Sequence, residues 1–379
     1  MRHVHLITPG DHFSARTGSA IPTVVHGLCA ATPEADPVPA VLVARGTYPD
    51  RYPSAEAIEY PLRPARRTDR YVDPALGRIG LGRPGARRVL TPALAAQHGW
   101  DASVVLAHNL PQAVALVDVA RHVPVLYAHN DLLRTYSTAE AGAALDPAAA
   151  IVCVSGSLAD ATAAQLPPAL HDRVVVVGNG VDVDAFRCHP RPDRETLRVV
   201  FVGRVIPDKG PDVLVDAVVR LGRADVELVV VGSNGFAADA PLTTYERDLR
   251  RRAAGPAGGT ITFRPFLDRA AVRSVLETAD VVVVPSRWSE PCGLTVLEGM
   301  AAGAAVIASD VGGIPETAGG AGVLVPPGDP AALAAALEAF ADDRLLLART
   351  AQLGRQHAEL NSWAVARTRL THVLHQLTV

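Results

Sequence analysis

At 379 residues the chain is longer than one ordinary hydrophobic core sustains, so two domains of roughly 180 residues each are expected. Apolar residues make up 49% of it and aromatics 4%, which suits packed α/β layers, while a net charge of −3 and few stacking rings exclude a general attraction to nucleic acid. The four cysteines, Cys29, Cys153, Cys188 and Cys292, show no metal-ligand spacing and are too few to staple a chain this long, so a reducing cytoplasm is expected.

The chain begins with a short alternating strand, His3 to Thr8, without the long apolar core of a leader. No later run reaches 18 apolar residues, so the expectation is a soluble protein, with peripheral contact with a membrane left open. Ile21 to Leu28 reads as a helix with Pro22 in its first turn, and the loop carrying Gly18 and Ser19 delivers backbone N–H groups to its start. A strand follows over Val38 to Ala44. From Arg45 to Leu90 the pattern dissolves into Pro, Gly and Tyr with ten arginines against five acids, too long for a plain connection, so functional loops or small irregular elements are expected. Arginines there favour a ligand carrying phosphate or carboxylate, or else form a solvated face. Gly80, Gly82 and Gly85 match G-x-G-x-x-G, but no clear strand precedes them and Pro84 interrupts the turn, so no dinucleotide site is expected.

Strands return at Ser103 to Ala107, ending in His108 and Asn109, and at Pro124 to Ala128, ending in His129, Asn130 and Asp131. Each histidine thus stands at the carboxyl end of a strand, where open α/β sheets bind ligands. Ala149 to Ser155 and Val174 to Val177 are further strands, and the turn-rich stretch Gly178 to Phe186 marks the boundary between the halves. Asp182 and Asp184 in it read as a linker turn rather than a metal site.

The second half opens with a strand, Leu197 to Val202, the loop GRVIPDKG, and a helix, Pro211 to Leu221. Of 36 basic residues all but Lys209 are arginine, which suggests that position 209 requires a compact ammonium. Glu227 to Gly232 and Thr260 to Phe266 are strands, the latter running into FRPFLD. The apolar run Val281 to Val284, closed by Pro285, reads as a strand buried on both faces. A polar loop with Arg287, Trp288, Ser289 and Glu290 leads to a helix with Pro291 in its first turn and Leu294, Leu297 and Ala301 at helical spacing. Strands Ala305 to Ser309 and Gly322 to Val325, helices Pro330 to Phe340 and Asp342 to His357, and an amphipathic tail, Ser362 to Leu377, complete the chain.

Glu290 and Glu298, eight positions apart within SEPCGLTVLEGMAAG and followed by VGGIPE at 311–316, resemble the E-x7-E signature of retaining glycosyltransferase family 4. The resemblance implies an α/β protein of GT-B fold, two Rossmann-like domains with parallel sheets facing across an interdomain cleft. The expected parts are an acceptor-side domain over 1–178, a nucleotide-sugar domain over 179–357, and a helix over 358–379 packing back on the first. It implies a metal-independent hexosyltransferase needing no cofactor, with a nucleoside diphosphate sugar as substrate and a small-molecule, glycan or lipid-linked acceptor. Gly18 and Ser19 would meet the donor diphosphate together with Arg204, Lys209 and the amides of Cys292, Gly293, Leu294 and Thr295. Glu298 would hold the ribose, Arg264, Pro265 and Phe266 the base, and Glu290 and His129 the sugar. Another GT-B enzyme, such as a nucleotide-sugar epimerase or a glucan phosphorylase, and a silent binding homologue remain alternatives.

Overall fold

The computed structural model describes residues 1–186, 195–255 and 260–377, and Cys188 lies outside them. The chain divides into two compact units, Met1–Asn179 with Trp363–Val379, and Gly180–Ser362.

In the first unit, the described residues form a seven-stranded sheet from β1 (Arg2–Leu6), β2 (Ala40–Ala44), β3 (Glu56–Tyr60), β4 (Ser103–His108), β5 (Val123–Ala128), β6 (Ala150–Cys153) and β7 (Val174–Val176). The order is β3-β2-β1-β4-β5-β6-β7, with every pairing parallel. β2, β4 and β6 are buried along their whole length, as central strands covered on both faces must be. The chain leaves β1 to one side and returns at β4 on the other, so β1 and β4 flank the point where the order reverses.

Residues 45–90, expected as irregular, contain β3 and the helices Asp69–Arg78 and Pro84–Leu94. Local composition concealed them: β3 lies at the sheet edge with Glu56 exposed, and each helix carries an internal proline, Pro74 or Pro92. Tertiary contacts compensate. Asp73 accepts hydrogen bonds from the N–H groups of Gly85 and Ala86, both at 2.8 Å, and so ties one helix to the start of the next.

The second unit holds a six-stranded sheet among the described residues, β8 (Leu197–Val202), β9 (Val226–Val231), β10 (Thr260–Arg264), β11 (Val281–Val284), β12 (Ala305–Ser309) and β13 (Val323–Val325). Its order, β10-β9-β8-β11-β12-β13, is again parallel throughout and reverses between β8 and β11. Val199, Val281, Val283 and Ile307 contribute to a core on one side of this sheet, and Val200, Val282 and Val306 to a core on the other. Valine suits both faces of such a strand because its branched side chain packs on the pleat.

The helix after β11 is Leu294–Ala301, with Gly293 as its N-cap at φ 79°. It therefore starts three residues beyond Pro291, whose expected place in the first turn is corrected. Gly293 in the left-handed region turns the chain into the helix, and ahead of it the Glu290 backbone is held by Gly312 and Gly313.

Candidate functional site

In the second unit, Lys209 and Glu290 arrive from the two loops that follow the adjacent strands β8 and β11. The Lys209 ammonium donates to both Glu290 oxygens, at 2.7 Å to Oε1 and 2.6 Å to Oε2, and lies 5.4 Å from the centre of the Trp288 ring. Oε2 also accepts from Trp288 Nε1 at 2.7 Å and from Ser286 Oγ at 3.1 Å. The lysine side chain retains 22% exposure and the glutamate 11%, so the pair is largely withdrawn from water yet reachable. Both residues were anticipated; their pairing was not.

Backbone geometry enforces this meeting. Gly210 sits at φ 65°, and a Cβ there would stand 2.0 Å from the Pro285 carbonyl oxygen, so only glycine lets the loop after β8 touch the end of β11. On the other side, Gly312 at φ 60° leaves no room for a Cβ against the Glu290 backbone, and the Gly313 N–H donates to the Glu290 carbonyl at 2.7 Å. The two glycines of VGGIPE thus hold Glu290 in place.

Cys292, Gly293, Leu294 and Thr295 lie at the start of the helix Leu294–Ala301, where N–H groups lack carbonyl partners within the helix. The Cys292 carbonyl is held by Thr317 Oγ1 at 2.6 Å. Glu298 belongs to the same helix and pairs with Arg269 at 2.5 Å. Arg204, just beyond β8, is exposed and makes no ion pair or side-chain hydrogen bond among the described residues. Arg264, Pro265 and Phe266 lie at the end of β10, two strands from β8 in the sheet order. Two of their backbone groups are already engaged, the Arg264 carbonyl by the Gly232 N–H at 3.0 Å and the Phe266 N–H by Ser233 Oγ at 3.1 Å. The exposed Phe236 ring meets Phe266 edge-on at 6.0 Å.

Residues overlooked in the sequence fall into two kinds. Ser286 and Trp288 flank the motif, so proximity was a usable signal. Arg269, Asp212 and Tyr245 had none, and nothing local joined the last two to Arg287 in that loop. Arg287 pairs with Asp212 at 2.8 Å, and Tyr245 donates to the same carboxylate at 2.7 Å, joining segments far apart in the chain.

In the first unit, three imidazoles form a buried chain. His5 Nδ1 lies 2.9 Å from His108 Nε2, and His108 Nδ1 lies 2.8 Å from His129 Nε2. Burial pushes His129 down to about 3 and holds His5 and His108 well below the usual imidazole range, so all three rings are neutral at pH 7. A neutral ring carries one N–H, and His5 Nε2 is buried without a partner. A buried orphan acceptor costs less than an orphan donor, so the protons sit on Nδ1 throughout and His129 keeps an Nδ1–H. Asn109, at φ 58°, accepts from the His129 N–H at 2.7 Å and fixes the backbone beside the ring.

Gly18 and Ser19 precede the helix Ala20–Ala30, and the Ser19 N–H is already bonded to Thr17 Oγ1 at 3.2 Å. Asp11 lies in the same loop; burial raises its carboxyl, and hydrogen bonds from Ser19 and Thr8 partly offset that. Among the described residues no group of three or more His, Cys, Asp or Glu side chains is arranged to hold a metal ion.

Comparison with known proteins places these features. Residues 196–343 match the family described as "Glycosyl transferases group 1". A D-inositol 3-phosphate glycosyltransferase of Streptomyces avermitilis is 35% identical over 210 residues, covering 51% of this chain and 45% of that protein. An alpha-maltose-1-phosphate synthase of Mycolicibacterium smegmatis is 34% identical over 253 residues, covering 59% and 64%. The match thus spans roughly half to two thirds of these relatives' lengths. Among solved structures, Anabaena HepE in complex with UDP and glucose superimposes with a TM-score of 0.71 at 18% identity, covering 99% of both chains. The parallel sheets, their reversal points and this full-length likeness give the chain the GT-B fold, and residues 196–343 within it are similar to the group 1 glycosyl transferases.

Proposed function

We propose that the protein is a retaining glycosyltransferase that moves a sugar from a nucleoside diphosphate donor to an acceptor hydroxyl without a metal ion. The observation that carries this reading is the Lys209–Glu290 pair at the reversal point of the second sheet. There a cation, a carboxylate and a helix start converge where α/β sheets bind their ligands.

The pair has a division of labour built into it. Glu290 Oε2 is anchored by Ser286 and Trp288 as well as by Lys209, whereas among the described residues Oε1 accepts from Lys209 alone. When a donor diphosphate draws the ammonium toward itself, Oε1 is released to accept from a sugar hydroxyl while Oε2 stays fixed. Arg204, exposed and unpaired among the described residues, supplies a forked donor to the same phosphates. The bond from the anomeric carbon to the phosphate oxygen breaks, the acceptor oxygen bonds to that carbon on the same face, and the acceptor proton passes to the departing phosphate. Negative charge grows on the leaving group, so fixed cations and N–H dipoles stabilise the transition state more than the ground state. Glu298, oriented by Arg269, holds the ribose hydroxyls. The names of the relatives and of the UDP-bound Anabaena protein support a UDP-type donor and a phosphorylated acceptor.

The test is turnover of UDP-, GDP- and ADP-sugars with phosphorylated acceptors in excess EDTA, where activity is expected to persist. Lys209→Ala should lower kcat/KM by about 10² to 10³, and Lys209→Arg should recover only part of it, because the guanidinium is longer and differently shaped. Near-normal kinetics in a folded Lys209→Ala variant would remove the pair from the reaction, and loss of activity in EDTA restored by Mg²⁺ would overturn the metal-free reading.

A further inference from the structure

We propose that residues 61–81 of the first unit form a docking surface for an anionic lipid bilayer. Residues 61–68 are all exposed. The helix Asp69–Arg78 that follows buries only Asp73 and Gly77, one turn apart. At 100° per residue, the face opposite those two carries Tyr71, Val72, Ala75 and Arg78, continuing to Ile79 just past the helix. Tyr71 is 66% exposed, Ile79 70% and Leu81 68%, with Val72 and Leu62 also turned to solvent. An exposed helix face with so much apolar surface, adjoining further exposed apolar side chains, marks an interaction site rather than ordinary surface scatter.

The charges around this face are sorted by sign. Arg63, Arg66, Arg67, Arg70 and Arg78 are exposed and enter no ion pair among the described residues. Both carboxylates of the segment are turned away. Asp69 is taken by Arg88 at 2.7 Å and by the Arg66 N–H at 2.7 Å, and Asp73 by the two amides of the next helix. The outward surface is therefore apolar with a cationic rim, the combination that suits a helix lying in the headgroup layer of an anionic membrane. A second copy of the chain is a poor occupant, because it would bring five arginines against five. No described helix is long and apolar enough to cross a membrane, so the mode is docking rather than spanning.

The helix cannot hide this face by rolling inward. A Cβ at Gly77 would stand 2.1 Å from Glu140 Oε1, so its backbone is pressed against that carboxylate. Glu140 is clamped in turn by Arg83 at 2.6 Å, and Arg83 is held by the Thr135 carbonyl at 2.8 Å and stacked 3.5 Å over the Tyr136 ring. The buried edge is locked and the apolar face is left outward.

The experiment is co-sedimentation of the full chain with vesicles of phosphatidylcholine alone or mixed with phosphatidylglycerol. Binding is expected only to the anionic vesicles, and to weaken as salt is raised. The triple variant Arg63→Gln, Arg66→Gln, Arg67→Gln should partition on the order of a hundredfold less. The double variant Tyr71→Ser, Ile79→Ser, with its melting temperature checked, should also lose most of its binding at constant charge. Three results would overturn the proposal: equal binding to neutral vesicles or none to either, full binding by the serine variant, or release of the protein by millimolar inorganic phosphate, which would indicate a site for soluble anions. A lipid-free dimer abolished by the same variants would instead assign the face to self-association and equally defeat it.

Discussion

Glu290 lies in the loop before the helix Leu294–Ala301 and Glu298 in that helix's second turn, and their surroundings differ in kind. Glu290 accepts from Lys209, Ser286 and Trp288, whereas Glu298 is paired with Arg269. If Glu290 contacts the sugar whose charge and position change during transfer, Glu290→Gln should chiefly lower kcat. It should also soften the fold by about 1 kcal/mol, because Lys209 loses its counter-charge in a partly solvated site. If Glu298 holds ribose equally in ground and transition states, Glu298→Gln should chiefly raise the donor KM. Steady-state kinetics with varied donor, run alongside melting curves, distinguish these roles. Destabilised variants with unchanged constants would return both glutamates to structural ion pairs.

At the scale of elements, the helix Trp363–Gln376 belongs to the first unit although it ends the chain. It buries Ala366, Arg367, Leu370 and Leu374, and at its start the approach is tightest: a Cβ at Gly27 would stand 2.2 Å from Trp363 Cδ2. Gly27 lies inside the helix Ala20–Ala30, where alanine would ordinarily be the better helix former. Packing therefore outweighs propensity here, and Gly27→Ala is expected to destabilise by about 1 to 3 kcal/mol through overpacking. Combining it with Trp363→Leu should recover part of the loss, as neighbours that share a contact are not additive. Denaturant titrations of the two single variants and the double variant give the coupling directly; simple additivity would show that the indole yields at no cost.

For the whole molecule, the two units differ in what acid does to them. The histidines whose titration is strongly displaced, His3, His5, His108 and His129, all lie in the first unit. Burial is the main cause, assisted at His3 by Arg367, the N-terminus and His375, and at His5 by His3, Arg367 and His129. Their folded values are depressed, to about 3 for His3 and His129, below the ordinary 6.5 of an unfolded imidazole. Below pH 6.5 the unfolded chain therefore binds protons that the folded sheet refuses. Stability is complete above that pH and declines as pH falls toward 3. At pH 5.5 the loss is roughly 1 kcal/mol per histidine. Amide exchange at pH 7.5 and 5.5 should show β1, β4 and β5 losing protection in acid while the second sheet keeps it. Equal protection at both values, or earlier opening of the second unit, would contradict this assignment.

Much of this molecule was legible in one dimension. β8, β11 and β12 have the bounds read from the sequence, because strands buried on both faces are predominantly apolar, interrupted in β8 only by Arg198 and closed in β12 by Ser309. Lys209 stood out as a lone lysine among arginines, and Glu290 and Glu298 by the family motif that their segment resembles, since composition and local order are properties of the chain itself. β3 and the helices between 69 and 94 were not legible, because their stability comes from neighbours such as Asp73 rather than from their own propensity. The first turn after β11 was placed three residues early because the left-handed turn at Gly293, rather than the proline at 291, starts that helix. Only the folded sheets could bring Lys209 onto Glu290, Arg269 onto Glu298 and His5 through His108 to His129. These partners are 81, 29, 103 and 21 residues apart in sequence, and no local signal encodes a contact that parallel strands create by crossing over.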